Sequence, residues 1–312
     1  MVLTFVINWI FICICIINCL VASTFLIFAF INHRRCFNFP TVLVCNTALG
    51  ILLYSAVNIA SVSYMFIWDK QVLPVADPLC AIRAYFYHST IAWIHHSLIL
   101  QAIERYCKIR RLKLLHTRTR QLCFILLQWL FDFIFVLPVF ATGNMKKLTI
   151  DNLCFVSLNT IPLVFYLAGI SFLLSDIVLS IIYRLLVRYV REVSLRLNGN
   201  HRIKMQRNLT MVRRIVLIHV QLVIVGFPVL IFVILIAIRA DLLPKNTVRI
   251  LIMIMNSPLS MMLLILFWIT PSLRRCLIDN WNQLKQLLAR KNNRVQPRLS
   301  NHRINVRYCI QK

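Results

Sequence analysis

The chain has 312 residues, of which 60% are hydrophobic and only 14% are charged, and its 35 Lys and Arg outnumber nine Asp and Glu to give a net charge of +26. A soluble domain carries charges on about a quarter of its residues, so this composition excludes an ordinary soluble protein. It indicates an integral membrane protein for which the bilayer is the main solvent.

Seven apolar segments are long enough to cross the hydrocarbon core, which takes about 20 helical residues. They lie at 2–31, 41–67, 79–107, 121–141, 161–189, 211–239 and 246–269. The third is the least apolar, because it contains one Arg and three His: Arg83, His88, His95 and His96. Barrel strands would be about ten residues long and would alternate strictly, which these runs do not. The sequence therefore predicts an all-α membrane protein with a seven-transmembrane-helix bundle in residues 1–269.

The distribution of Lys and Arg predicts how these spans are oriented. Of the 35 basic residues, 28 lie on one side, in 32–40, 105–120, 184–214 and 274–312. Since cytoplasmic loops are enriched in Lys and Arg, we expect an extracellular N-terminus and a cytoplasmic C-terminus. Because the positive charge is divided among loops beside the spans, it indicates contact with anionic inner-leaflet lipid and not with nucleic acid.

Cysteine positions agree with this orientation. Of eleven cysteines, nine fall within the spans or on the cytoplasmic side, and only Cys80 and Cys154 lie outside. In an oxidising exterior these two are expected to form a disulfide, and the alternative is two free extracellular thiols. We find no Cys-x-x-Cys and no Cys/His cluster with metal-ligand spacing, so no metal or cofactor is predicted.

The sequence Glu104-Arg105-Tyr106 follows the third span. Arg105 lies 25 residues after Cys80, about 37 Å along a helix, which places the cysteine at the outer mouth and the Glu-Arg pair at the cytoplasmic boundary. Seven spans, this distance, a second cysteine in an outer loop and Glu-Arg-Tyr together resemble the rhodopsin-like class of G-protein-coupled receptors.

The resemblance extends to other spans. Asn18-Cys19-Leu20-Val21 looks like the Gly-Asn-x-x-Val of the family's first helix, and Trp129 followed by Pro138 is similar to its fourth helix. Pro228 takes the place of the hinge proline in helix six, and Tyr183 that of the inner tyrosine in helix five. Thr270 begins a sequence that looks like the start of the family's eighth helix.

Several positions depart from the family pattern. Phe227, in Val-Gly-Phe-Pro, is the aromatic nearest to the missing tryptophan of Cys-Trp-x-Pro. Asn46 stands at the spacing of the family's sodium-binding acid, although a second register would place Ile51 there, and the acid is missing in both. Asn256-Ser257-Pro258 lacks the tyrosine of Asn-Pro-x-x-Tyr. Ser175 lies where the bulge proline of helix five is expected.

The resemblance implies roles for three groups of residues. A G-protein coupling switch is expected at Glu104, Arg105, Tyr106, Tyr183 and Arg213. A ligand site is expected at Tyr87, His88, Ile91 and Phe227. A polar core with a hinge is expected at Asn18, Asn46, Trp129, Pro228 and Asn256. Two further acids inside the spans, Asp132 and Asp176, are each expected to face the interior with a partner or to be protonated, because a lone carboxylate in hydrocarbon is costly.

The resemblance also implies a function, which is to bind an extracellular ligand at the plasma membrane and to activate a heterotrimeric G protein. Amine receptors of this class carry an Asp at the position of Tyr87, so a peptide, a lipid or a neutral small molecule is a better candidate than a biogenic amine. The alternative is a membrane transporter or ligand-gated channel, against which the lack of a visible internal repeat counts. No Gly-rich phosphate loop, His-x-x-x-His pair or nucleophile elbow is present, so an enzyme is not predicted.

After the last span, apolar residues recur at steps of three and four, which predicts an amphipathic membrane-surface helix over 270–291. Its apolar face comprises Leu273, Leu277, Trp281, Leu284 and Leu288. Cys276 is a candidate for palmitoylation, and an unmodified buried thiol is the alternative. The basic residues 292–312 are predicted to be a disordered tail, available to arrestin through Ser300.

Overall fold

A computed structural model of the protein describes residues 2–70, 77–115, 117–148, 151–157, 160–196 and 246–295. Between 220 and 235 it describes residues 220, 223–224, 226–228, 231–232 and 234–235, all of them helical, which we call α6. The structural statements below concern these residues.

Helices account for almost all of the described chain, and seven of them are long. We label them α1 (Val2–Ile31), α2 (Phe39–Lys70), α3 (Cys80–Ile109), α4 (Arg118–Ile134, continued by Leu137–Ala141), α5 (Ile161–Ala168, a π turn at Gly169–Leu173, then Leu174–Arg196), α7 (Thr247–Asn256, then Leu259–Ile269) and α8 (Pro271–Val295). Six of the seven predicted spans therefore coincide with helices to within a few residues, and α6 lies within the predicted sixth. The all-α membrane fold is confirmed.

The third helix is the centre of the bundle. Five helices of the described chain are long and apolar enough to cross a membrane, at Leu3–Ile31, Phe39–Asp69, Arg118–Ala141, Ile161–Tyr189 and Thr247–Ile269. α3 is not one of them, since its histidines, serines and Arg83 lower its hydropathy. Twelve consecutive residues of α3, from Tyr87 to Leu98, are nevertheless all buried. Its polar residues face other helices and not lipid, which is where a membrane protein tolerates them.

Three spans contain breaks in the regular helix. α4 breaks just before Pro138, and α7 breaks at Ser257 and Pro258, because proline has no N–H for the preceding turn and its ring displaces that turn's carbonyl. In α5 the Leu174 N–H bonds to the carbonyl of Gly169, five residues back, in a π turn that contains no proline.

A short hairpin between α4 and α5 is the only strand structure in the described residues, and it was not predicted. β1 (Met145–Leu148) pairs antiparallel with β2 (Leu153–Val156). Asn152, at the turn, has a φ of 50°, a left-handed conformation that Asn adopts more readily than most residues. The hairpin lies beside α3, so it adds a small lid to the outer end of an otherwise helical protein.

The eighth helix is longer than the sequence predicted. It runs to Val295, so the first four residues of the predicted tail are helical and the rest of 292–312 lies outside the described residues. Leu273 is buried in the bundle core, and Leu277 and Trp281 are exposed. Cys276 is buried and disulfide-bonded. Palmitoylation of Cys276 stays a prediction.

Candidate functional site

The hairpin is fastened to the outer end of α3 by a disulfide. Cys80, the first residue of α3, is bonded to Cys154 of β2, as the sequence predicted. The next residue, Phe155, places its ring 4.8 Å from the ring of His88 and 5.7 Å from that of Tyr87. The covalent anchor therefore holds an aromatic side chain directly over the predicted ligand-binding residues.

A buried ionic cluster fastens the other end of the hairpin. Arg249 of α7 is only 1% exposed. Its two terminal nitrogens donate to both carboxylate oxygens of Asp69 at 2.7 and 2.8 Å, and one donates to Asn8 Oδ1 at 3.1 Å. Its Nε donates to the carbonyl of Asp151 at 2.8 Å, and Asn152 Nδ2 donates to Asp69 Oδ1 at 3.0 Å. The cluster joins α1, α2, α7 and the hairpin turn.

Asp151 also stabilises the start of α7. Its two carboxylate oxygens accept the backbone N–H groups of Asn246 at 2.6 Å and of Val248 at 3.0 Å. A negative charge at a helix N-terminus is favourable because the first N–H groups lack helical partners and carry partial positive charge. These hydrogen bonds stabilise the carboxylate, and they tie the lid to α7 as well as to α3.

A second ion pair lies at the start of α3. Arg83 forms a salt bridge with Asp77 and stacks over the ring of Tyr64, with its guanidinium carbon 3.9 Å from the ring centroid. Lys147 of β1 lies 3.9 Å above the centroid of the Trp68 ring. Burial lowers the pKa of the Lys147 ammonium below its ordinary value, against an opposing effect of the Asp69 carboxylate. Cation–π contacts thus stabilise this side of the lid.

Beneath the lid, a chain of hydrogen bonds crosses the interior. The Tyr54 hydroxyl donates to the Tyr87 hydroxyl at 3.3 Å, and Asn256 Nδ2 donates to the Tyr54 hydroxyl at 3.4 Å. Asn18 Nδ2 donates to the backbone carbonyl of Asn256 at 2.9 Å. Three residues singled out in the sequence are therefore brought together from α1, α3 and α7, through one residue of α2 that the sequence did not mark.

The remaining predicted ligand residues have different surroundings. Ile91 is buried one turn below Tyr87, in the same core cluster. His88 is 6% exposed, and its Nε2 has no hydrogen-bond partner among the described residues. Phe227 of α6 is 60% exposed and so lies apart from this buried group. The expected part of Phe227 in the ligand site stays a prediction.

Asn46 is the centre of a second network, between α2, α3 and α4. Its Oδ1 accepts the indole N–H groups of Trp129 at 2.7 Å and of Trp93 at 3.1 Å. Its Nδ2 donates to Gln128 Oε1 at 3.0 Å. Asn46 thus bonds toward α4 and away from Asn18.

The network continues through the Asp132 carboxylate and the His96 imidazole, both in the middle of the spans. Gln128 Nε2 donates to one oxygen of the Asp132 carboxylate at 3.1 Å, and the other oxygen pairs with His96 Nδ1. The opposite ring nitrogen of His96 lies 3.3 Å from the backbone carbonyl of Ile170 in the π turn of α5. Asp132 is fully buried and partnered, as expected for an intramembrane acid. Asp176 is partly buried in α5.

At the inner end of α3, Glu104 and Arg105 form an ion pair. Arg105 Nε lies 3.3 Å from Glu104 Oε2, and the Arg105 side chain is 13% exposed. One turn further, the guanidinium of Arg110 lies between the rings of Tyr106 and Tyr189, at 5.3 and 5.1 Å from their centroids. Arg110 therefore links the inner ends of α3 and α5.

The structure describes two of the three remaining switch and hinge residues. Tyr183 is partly buried on α5, six residues before Tyr189, and Pro228 is partly buried in α6. Arg213 lies outside the described residues, so its expected part in the switch stays a prediction.

Several residues of these networks were missed in the sequence. Asp69 and Arg249 have opposite charges at the outer ends of the second and seventh spans, which is a usable signal for an ion pair. Gln128 lies four residues before Asp132, which the sequence did mark, and so shares one face of α4 with it, a second signal. Tyr54 carried no such signal in the sequence, because a tyrosine in an apolar span is common and its hydrogen-bond partner depends on how α2 is rotated.

Comparison with protein families identifies the chain. The model of the 7 transmembrane receptor (rhodopsin family) matches residues 18–263, from Asn18 in α1 to Leu263 in α7. A search of curated proteins finds no match. The match covers most of the chain, and it agrees with the helical bundle and with the disulfide between Cys80 and Cys154. The chain therefore belongs to the rhodopsin family of seven-transmembrane receptors.

Proposed function

We propose that this receptor binds an extracellular ligand and activates a heterotrimeric G protein from its cytoplasmic side. The observation that carries the proposal is the Glu104–Arg105 pair, which lies at the inner end of the central helix and is mostly buried. Such a pair is held while the helices around it stay packed, and the guanidinium is released for another acceptor when they move apart. A partner protein that binds the opened state stabilises it by its differential affinity.

The electrostatics of the outer end count against a biogenic amine and leave a peptide, a lipid or a neutral small molecule as candidates. Of the acids described there, Asp69 is paired with Arg249, Asp77 is paired with Arg83, and Asp151 accepts two backbone N–H groups. A bound ammonium group needs an uncompensated carboxylate to replace its water, and these three do not supply one. A biogenic amine is therefore disfavoured.

The residues beneath the hairpin support a ligand with an aromatic or apolar body. Tyr87, His88 and Ile91 are buried under the ring of Phe155, which already occupies the space above them. His88 Nε2 is a buried polar atom without a described partner, and leaving such an atom unpaired costs about 1–3 kcal/mol. A ligand that replaces the Phe155 ring and gives His88 a hydrogen bond would recover that cost.

Guanine-nucleotide exchange tests the proposal. The full chain in lipid nanodiscs is mixed with representatives of each Gα class, and nucleotide release is followed without added ligand. We expect measurable release, because the inner end of the sixth span carries Asn208, Arg213 and Arg214 but no acid that would also hold Arg105. Glu104→Gln removes the charge that holds Arg105 and should raise release about threefold or more, because a hydrogen bond to a charged group contributes about 1 kcal/mol or more. Arg105→Ala should abolish it.

Lys146→Ala is the matched control, because it removes one exposed positive charge from the outer hairpin and should leave release unchanged. If Arg105→Ala releases nucleotide at the native rate, the proposal is wrong. Ion flux through vesicles containing the same protein tests the transporter or channel alternative. Arrestin binding and residence in the plasma membrane are part of the same proposal, and anionic lipid is treated below.

A further inference from the structure

The π turn of α5 is a feature that the sequence of α5 alone does not explain. In the turn Gly169–Leu173, the N–H of Leu174 reaches back five residues to Gly169 and not four. This spacing leaves nearby carbonyls without their usual α-helical partners, and inside a membrane such groups must be satisfied by side chains or neighbouring helices. Proline commonly fixes a helix distortion of this kind, but residue 175 of this chain is serine.

Two side chains take up carbonyls of the turn. Ser175 Oγ donates to the carbonyl of Ser171 at 3.0 Å, from within α5. His96 Nε2 of α3 lies 3.3 Å from the carbonyl of Ile170. Ser171 and Ser175 are both buried, so water does not compete for these carbonyls. The His96 contact is the one that depends on another helix.

Asp132 of α4 fixes the orientation of the His96 ring. One carboxylate oxygen pairs with His96 Nδ1, and the other accepts the Gln128 amide N–H at 3.1 Å. The Asp132 side chain is fully buried. A carboxylate on one nitrogen aims the second nitrogen of the imidazole, as it does for histidines that bind metals. Here that second nitrogen is aimed at the main chain of α5.

Counting protons shows that the two side chains act as one unit. The Ile170 carbonyl can only accept, so His96 Nε2 carries a proton. His96 Nδ1 then either carries a second proton beside an ionised Asp132 or accepts one from a protonated Asp132. In both arrangements the pair is neutral overall and the bond to α5 is kept, which suits a pair at this depth in the bilayer.

We infer that Asp132 and His96 are positioning residues that hold the π turn of α5, doing from α3 and α4 what a proline would do within α5. The turn that they hold carries Ser171 into the buried interior and places the Phe172 ring 4.8 Å from that of His95. The shape of the middle of α5 in this receptor is thus set through two neighbouring helices. This inference does not rest on the proposed coupling to a G protein.

Hydrogen exchange of the turn tests it, using the full chain in lipid nanodiscs without ligand or G protein. Asp132→Leu removes the acceptor that orients His96, so peptides covering 169–175 should exchange about tenfold faster or more. Asp132→Asn keeps an acceptor and a donor at the same place, so exchange should stay within about twofold of native. Gln101→Leu breaks a 2.8 Å bond from α3 to Thr47 of α2. It is the matched control and should leave the turn unchanged.

A double variant separates positioning from a general loss of stability. Proline at 175 has no N–H and clashes with the carbonyl four residues back in a regular helix, so it favours a distorted turn without help from His96. Ser175→Pro added to Asp132→Leu should return exchange of 169–175 to within about twofold of native. If Asp132→Leu does not yield folded protein, Asp132→Ala removes the same acceptor with less bulk. Native exchange in Asp132→Leu or Asp132→Ala, or no recovery with Ser175→Pro, would overturn the inference.

Discussion

Arg249 is a charged side chain that the fold buries almost completely, and its value to stability depends on Asp69. Removing one partner of a buried ion pair typically costs about 3–5 kcal/mol, because the other charge is left without compensation, whereas replacing both with apolar residues costs much less. Arg249→Met should therefore lower the free energy of unfolding by about 3 kcal/mol, at the low end because part of Asp69 reaches solvent.

Thermal unfolding of purified protein measures this difference. Arg249→Met combined with Asp69→Leu should be more stable than Arg249→Met alone, since no lone carboxylate remains. The second single variant is Asp69→Leu. If the losses of stability in Arg249→Met and Asp69→Leu add up to the loss in the double variant, the 2.7 Å contact between Arg249 and Asp69 contributes no coupling energy.

Residue-level contacts were predictable only in part. Asn18, Tyr87 and Asn256 were singled out from motifs, and they meet through Tyr54, which no motif marked. Spacing along a helix says which residues share a face, but which faces meet depends on the rotation and register of neighbouring helices. For the same reason two registers were considered for Asn46, and its bonds to Gln128 and Trp129 of α4 were not predicted.

At the level of elements, long apolar runs predicted the helices well, because a span in lipid has to satisfy its backbone internally. The proline breaks in α4 and α7 follow from local chemistry. The π turn and the β1–β2 hairpin do not follow from local chemistry, because contacts from elsewhere in the chain hold both. His96 contacts the turn, and Cys80 and Arg249 contact the hairpin.

The disulfide should be the most important single anchor of the hairpin. Reducing it frees Cys154 from α3 and lengthens the mobile chain, and loss of a native disulfide typically costs about 2–5 kcal/mol. Cys80→Ser should therefore lower surface expression and thermal stability well below native. Cys13→Ser is the matched control, because Cys13 is a free, exposed cysteine of α1 and its loss should be nearly neutral. Equal effects of the two substitutions, or free thiols at 80 and 154 by mass spectrometry, would contradict this.

The eighth helix should bind the membrane surface. Exposed Leu277, Ile278 and Trp281 lie on it near exposed Arg274 and Arg275, and each basic residue near an anionic surface contributes about 1 kcal/mol. Adding phosphatidylserine to nanodiscs should raise the melting temperature of the native protein, and Arg274→Gln with Arg275→Gln should remove most of that increase. High salt should weaken the lipid effect in the native protein. A lipid response that is the same in both proteins at low salt would count against a surface-bound helix.

For the whole molecule, the orientation in the membrane depends on how the Lys and Arg residues are divided between its two sides, and not on the net charge of +26. The spans and the family match establish a multi-pass membrane receptor, and 28 of 35 Lys and Arg lie on the side of the Glu104–Arg105 pair. Placing this side in the cytoplasm also leaves Cys80 and Cys154 in the oxidising exterior, where their disulfide persists. Cys276, on the basic side, is also disulfide-bonded, so the proposed orientation rests on the distribution of Lys and Arg.

This orientation predicts which parts of the chain antibodies can reach. An epitope tag at the N-terminus should be stained in intact cells, and a tag at the C-terminus should be stained only after permeabilisation, because Lys-rich and Arg-rich loops are retained in the cytoplasm. A tag inserted after Gly143, in the turn before β1, should behave as the N-terminal tag does. If the C-terminal tag is the one stained in intact cells, the positive side faces outward, and the Glu104–Arg105 pair could not meet a cytoplasmic G protein.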